Sequence, residues 1–259
     1  MGGLETKRPV RRLLAIAAAL LALVSGANGA SPDSWPSLLG PRETFPPDVS
    51  AAVERLWSEP TLRRTVNGRP ARVPFAVYVT FLDMPEVTAA AARFRRIGSY
   101  EIQALGGDRY LASDGDGARG SAQVLRREPR RVVMLSRGEH TSLFLGTIRG
   151  SALTVLDLEP QEHVVNPRLV AYVYIDNQVA AALARTLVPT FGFIADRKLG
   201  ESLRVTAEVA EWAIEPSGGF CEWLAREPLP PARRDRILSV LPSCAPGPRP
   251  RTPGPIQSP

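Results

Sequence analysis

The first unbroken apolar run covers residues 13–24 (LLAIAAALLALV), flanked by Lys7, Arg8, Arg11 and Arg12 and then by the small residues 25–30 (SGANGA). A basic segment, a short apolar core and small residues in that order predict a secretory signal over 1–30, cleaved after Ala27 or Gly29. The run is about twelve residues against the roughly twenty that span a bilayer. An uncleaved N-terminal anchor is the alternative reading. Residues 31–47 are rich in Pro and Ser and read as a linker. Asp48 then caps a short helix with Val49, Val53 and Leu56 or Trp57 on one face, ending near Glu59-Pro60.

Asn67-Gly68 signals a turn before a predicted strand over 73–82 (VPFAVYVTFL), dense in β-branched and aromatic residues. A helix is predicted next, with Asp83 as cap, Pro85 in its first turn and Glu86 completing a capping box. Its apolar positions are Val87, Ala90 or Ala91, Phe94 and Ile97, and Gly98 stops it. Strands are predicted near 99–105, 108–113, 119–127, 130–136, 141–149, 151–158 and 168–175. The separating turns are Gly106-Gly107, residues 114–117 (DGDG), Glu128-Pro129, Arg137-Gly138 and Arg149-Gly150. Gaps this short require sequential antiparallel pairing, hence a curved meander. Helical spacing returns over 177–214, through Leu183, Leu187, Phe191, Ala195, Leu199 and Leu203, then Val209 and Trp212. Pro189 and Gly192 inside the pattern should kink or split that helix.

The fold class that follows is α+β, a curved antiparallel sheet gripping a long C-terminal helix, with a short helix after the first strand. The segments are a signal peptide (1–30), a linker with a short helix (31–66), the sheet–helix domain (67–214), an appendage (215–244) and a Pro-rich tail (245–259) expected to be disordered. A sheet curled around a helix leaves an apolar space between them.

That order, with FLDMPEVTAAAARF at 81–94, YVYIDNQVAAALARTLVP at 172–189 and DRKLGESLRVTAEVAEW at 196–212, resembles the START-like helix-grip (SRPBCC-type) superfamily of hydrophobic-ligand-binding proteins, over roughly residues 70–214. The resemblance implies binding of a lipid or other apolar molecule between the sheet and the terminal helix. It does not decide chemistry, since cyclases, dehydratases and hydrolases occur among such proteins. Tyr172 and Tyr174 share one face of the last strand and are candidates for a cavity wall, or half-buried sheet aromatics. Arg109 and Tyr110 carry the same two readings. Leu187, Phe191 and Ile194 around the Pro189 kink read as core or as a gate for ligand entry.

Catalytic chemistry is not legible. His140 and His163 are the two histidines, without the paired spacing of a metal site, and both read as surface residues near turns. No Gly-x-Ser-x-Gly elbow, phosphate loop or dinucleotide fingerprint is present. The DGDG run lacks the twelfth-position Glu of a calcium loop, and Asp196, Arg197 and Lys198 with Glu201 read as paired charges on an exposed helix face. No cofactor, metal or catalytic residue is therefore expected. The net charge is +6, of which +3 lies in residues 1–30. The remainder does not suit a nucleic-acid binder, but its arginines leave a surface weakly attractive to anionic lipid and open to peripheral membrane contact. Cys221 and Cys244 in an exported chain predict a disulfide stapling the appendage. The expectation is a periplasmic, non-catalytic carrier of an apolar molecule. An enzyme acting on an apolar substrate and an envelope interaction module with a filled core are the alternatives.

Overall fold

The computed structural model describes residues 35–142, 146–177, 181–182, 188–216 and 219–244, and gives the backbone alone for Ser142 and 188–195. The expected signal peptide and Pro-rich tail lie outside the described residues.

Two single 3₁₀ turns, Ser37–Leu39 and Arg42–Thr44, lead into helix α1 (Pro47–Ser58). Val49, Val53 and Leu56 are buried on one face, as the spacing predicts. Asp48 is not the cap. Pro46 holds that position, and Asp48 sits in the first turn at the positive end of the helix. Strand β1 (Leu62–Asn67) follows, with alternating burial. It was not predicted, because LRRTVN shows only two apolar positions and they fall at its ends.

The stretch predicted as the first strand is instead helical. Helix α2 spans Phe75–Asp83, and Val77, Tyr78, Phe81 and Met84 are all buried. Their spacing of one, three and three is a helical stripe hidden in strand-like composition. A helix apolar on nearly every side suits a site enclosed by other elements, and tertiary burial overrides propensity there. Helix α3 (Pro85–Arg95) leaves α2 at 97°. Met84 is its N-cap, so the expected Asp83 cap is replaced: Asp83 is the last residue of α2. Arg96, at φ 56°, closes α3 two residues before the expected Gly98.

Seven antiparallel strands form one sheet in the order β1-β7-β6-β5-β4-β3-β2. They are β2 (Glu101–Gly106), β3 (Arg109–Ser113), β4 (Ala118–Glu128), β5 (Arg131–Ser142), β6 (Gly146–Gln161) and β7 (Val164–Ile175). The meander from β2 to β7 is as expected, but two predicted turns are not turns. Arg137-Gly138 lies within β5, which continues to Ser142, and Arg149-Gly150 lies within β6, which joins the end of the predicted strand 141–149 to the predicted strand 151–158. His140 is correspondingly inside β5, whereas His163 is in the tight β6–β7 turn.

These glycines bend the sheet. Gly120, Gly138 and Gly150 are register partners across β4, β5 and β6. A Cβ on Gly120 would lie 2.3 Å from the Arg137 carbonyl oxygen, and one on Gly150 would lie 2.6 Å from that of Tyr174. Adjacent strands approach so closely there that no side chain fits, which is the strand use of glycine at a sharp bend.

Helix α4 (Val188–Ile214) runs for 27 residues. Pro189 and Gly192 both lie in its first turns, where the missing N–H of Pro189 leaves nothing unpaired. The helical pattern expected over 177–214 is described only at 181–182 and from Val188 on, and residues 183–187 lie outside the described residues. Helices α5 (Phe220–Arg226) and α6 (Pro231–Val240) follow, and Cys221–Cys244 is a disulfide with Cα atoms 4.9 Å apart.

Each face of the sheet carries a core. On one, Leu156, Val165, Leu169 and Ala171 pack with α2, α3 and α4 (Leu203, Val205, Val209, Trp212), and with Phe220, Trp223, Leu224, Ile237 and Leu241 of the C-terminal segment. On the other, α1 and Leu39 cover Val133, Leu135, Leu153, Val155 and Tyr172. The segment expected as an appendage is thus part of the main core. Asp83 confirms the join, with Arg127 of β4 and Arg236 of α6 both on its buried carboxylate, while Glu86 of α3 meets Arg233 at 2.9 Å.

Candidate functional site: an apolar cavity beside the glycine line

Antiparallel partners at one register level share a sheet face, so the pairings sort the lining residues. Ile102, Ala112, Gly120, Gly138, Gly150 and Ile175 form one row; Ala122, Ser136, Ala152 and Val173 form the next. Val173 and Ile175 continue the face that carries Leu169 and Ala171, which is the face α4 covers. Beyond the filled core these rows line a cavity of about 420 Å³, with Tyr100, His140 and Ile148 at its margin. Gly, Ala and Ser make a thin floor, and Ile and Val supply the walls. The volume falls within the usual range of small-molecule sites, about 300–1,000 Å³.

Two ion-pair anchors hold α4 over this face. Arg64 of β1, at one sheet edge, binds Asp196 with two guanidinium nitrogens, Nε at 2.9 Å. Lys198 Nζ donates to Asp114 and Asp116 in the β3–β4 turn, each at 3.0 Å. Asp196 and Lys198, expected to pair along one exposed helix face, therefore reach toward opposite edges of the sheet, while Glu201 does pair along the helix, with Arg204 at 3.9 Å. Asp114 also accepts the backbone N–H groups of Asp116 (2.7 Å) and Ala118 (3.0 Å). The lysine fills the acidic turn. Burial disfavours the Asp114 carboxylate, but the lysine and these N–H groups outweigh it and hold the pKa below 3.8. Near the cavity margin, burial and then the Glu201 carboxylate push the Tyr100 hydroxyl up to about 12.

The candidate residues chosen from sequence divide between the faces. Tyr110 is buried on the cavity side of β3, paired with Ala122, and burial raises its hydroxyl. Arg109, its neighbour, is exposed and faces the other way. Tyr172 and Tyr174 also lie on the opposite face from α4. Tyr172 is beneath α1, with its ring 4.7 Å from that of Trp57 and Arg63 over it; Tyr174 lies beneath Arg55. Their proposed place at the wall between sheet and C-terminal helix is corrected accordingly: the alternation of β7 puts Val173 and Ile175 there. Leu187 and the side chains of Phe191 and Ile194 lie outside the described residues.

The sequence did carry a signal for the cavity. Three Arg-Gly pairs, at 119–120, 137–138 and 149–150, recur inside otherwise strand-like text. Read as strand interiors rather than turns, they mark a bend. Among the described residues no group of three or more His, Cys, Asp or Glu could hold a metal ion. None of their helices is by itself long and apolar enough to cross a membrane.

No family model matches the chain, and no curated protein does. Solved structures similar to it include a conserved protein from Geobacillus kaustophilus, with 18% identity and a TM-score of 0.43, covering 58% of this chain and 96% of that one. Ara h 8.0201 aligns with 11% identity and a TM-score of 0.38 over 57% of this chain and 98% of its own. A protein from Chromobacterium violaceum aligns with 15% identity and a TM-score of 0.36, over 57% and 97% respectively. Similarities of that size do not establish a shared family.

Proposed function

We propose that the mature chain is an exported, non-catalytic binding protein that carries an apolar small molecule, such as a lipid, between the sheet and α4. The observation that carries this reading is the cavity of about 420 Å³ with its floor of glycine, alanine and serine and its walls of isoleucine and valine. Burial of ligand there supplies about 25 cal/mol per Å² of apolar area removed from water. A charged clamp is not needed. The START-like helix-grip resemblance of residues 70–214 supports the same site. Export rests on the order of residues 1–30, and the Cys221–Cys244 disulfide is consistent with an oxidising compartment.

Native mass spectrometry of the protein purified gently from an envelope extract, with solvent extraction of what it holds, tests the reading. A stoichiometric apolar molecule is expected. Ala152→Phe, which fills the floor, should reduce its uptake at least tenfold without unfolding the protein. Equal uptake by this variant, or a protein that takes up none of a lipid panel, sinks the proposal. Export is checked separately by N-terminal sequencing, which should begin at residue 28 or 30.

A further inference from the structure

The glycine line has a second side. Each of its glycines follows an arginine, and strand alternation turns that arginine to the α1 face. There the first turns of α1 and the outer surfaces of β2–β6 enclose a cleft of about 1050 Å³, separated from the apolar cavity by glycine backbone. Its floor is ordered by register. In one row Arg137 stands between Ser121 and Ser151; in the next Glu139 stands between Arg119 and Arg149.

The charges in these rows are not equally engaged. Glu139 accepts from Arg119 Nε at 2.8 Å and from Arg149 Nε at 3.1 Å, so one carboxylate serves two guanidinium groups. Each of those groups carries five N–H donors. Arg137 is 51% exposed; its Nη2 donates to the Asp48 carbonyl oxygen at a long 3.4 Å, and among the described residues its sole ion pair is the Asp48 carboxylate at 3.8 Å. Arg55 stands over the Tyr174 ring at the same wall. Leu111, 44% exposed, and the α1 residues Ala51 and Ala52 supply apolar surface beside them.

We propose that this cleft is a second binding site, one for an organic oxyanion (a phosphate monoester or carboxylate on a small apolar body). The anion sits on Arg137 between the Ser121 and Ser151 hydroxyls, with Arg119 and Arg149 alongside, and the apolar body lies against Leu111 and Ala51. Planar guanidinium forks and flanking hydroxyls match the paired acceptor oxygens that carboxylates and phosphates both present. The site lies on the opposite face of the sheet from the apolar cavity, across the shared strands around Gly120, Gly138 and Gly150.

Calorimetric titration of the folded protein with octyl phosphate, inorganic phosphate and octanol tests it, using Arg137→Gln for the cleft and Ala152→Phe for the cavity. Octyl phosphate should bind saturably, more weakly at high salt, and at least tenfold more weakly to Arg137→Gln, while Ala152→Phe binds it as wild type does. Joint Ser121→Ala and Ser151→Ala substitution should weaken it about threefold. Inorganic phosphate binding as tightly as octyl phosphate would support the oxyanion site but assign it to the free anion. Absence of saturable octyl phosphate binding to wild type, or binding lost in Ala152→Phe and kept in Arg137→Gln, overturns the proposal. Octanol binding should be insensitive to Arg137→Gln.

Discussion

Two buried polar side chains of α2 make opposite contributions. Tyr78 is fully buried in α2, and its hydroxyl finds no hydrogen-bond partner among the described residues. An unpartnered buried hydroxyl keeps its desolvation penalty and returns nothing. Tyr78→Phe should therefore leave the protein as stable or up to about 1 kcal/mol more stable in urea denaturation; a marked loss would show a partner. Asp83, five residues on, is a carboxylate buried to 8% exposure between Arg127 and Arg236. Asp83→Asn removes the charge that both guanidinium groups face. Because the arginines are partly exposed, the expected loss lies below the usual 3–5 kcal/mol for a broken buried pair, at about 2 kcal/mol, read in the same experiment. Neither role was legible. From sequence Tyr78 was a strand residue and Asp83 a cap, since nothing local announces that α6, more than 140 residues later, delivers Arg236.

At the level of elements, the legible parts were those whose pattern is local. The α1 stripe of Val49, Val53 and Leu56, and the meander from β2 to β7, follow from spacing and turn length alone. What failed did so where packing decides: α2, enclosed by other elements, has strand composition, and β1 is held by its pairing with β7 rather than by its own alternation. The cavity was expected as a consequence of the architecture, but its walls were assigned to the wrong parity of β7. The bend that makes its floor is testable. A methyl group at Gly120 must displace backbone, so Gly120→Ala should cost about 2 kcal/mol, within the range for overpacking. A variant as stable as wild type in denaturant would remove the bend from its causes. The α5–α6 pair makes a second test. The disulfide closes a loop of 23 residues over a segment that contributes Phe220, Trp223 and Ile237 to the main core. Replacing both cysteines by serine should lower stability by about 3 kcal/mol on the chain-entropy model. An unchanged melting curve would mean that those core contacts hold the segment without the staple.

Across the whole molecule, α4 is tied to both sides of the sheet by charges whose titration can be followed. Arg64, chiefly through its hydrogen bond, holds the Asp196 carboxyl below 3.8, and Asp114 is held below the same value despite its burial. Burial disfavours the Lys198 ammonium, but its bonds to Asp114 and Asp116 prevail and raise it above 10.5. A lowered carboxylate contributes stability above its unfolded pKa and loses it as pH falls through the folded one. A raised lysine contributes below its unfolded pKa and loses it as pH rises through the folded one. The anchors therefore act fully from about pH 5 to pH 10. They weaken on the acid side through Asp196 and Asp114, and on the alkaline side through Lys198. Tyr100, raised to about 12 by burial and then Glu201, adds to the alkaline limb with the same sign. Lys7 and Lys198 are the two lysines of the chain, so Lys198→Met removes a nearly unique titration. Melting temperatures measured from pH 3 to pH 11 should show a shallower alkaline decline in the variant. Its acid decline should also be smaller, because Asp114 no longer has an ammonium to lose, while the Asp196 contribution remains. Exposed pairs of this kind contribute up to about 1 kcal/mol each, so the effect on global stability is modest. The effect on the helix is local: with one anchor gone, the Asp196–Lys198 end of α4 keeps only its Arg64 pair, while Arg69 still holds Glu211 near the other end, and a bound apolar probe should leave faster from Lys198→Met than from wild type. Equal exchange rates, with the alkaline limb unchanged, would show that packing of Leu203, Val209 and Trp212 holds the helix without help from its charges.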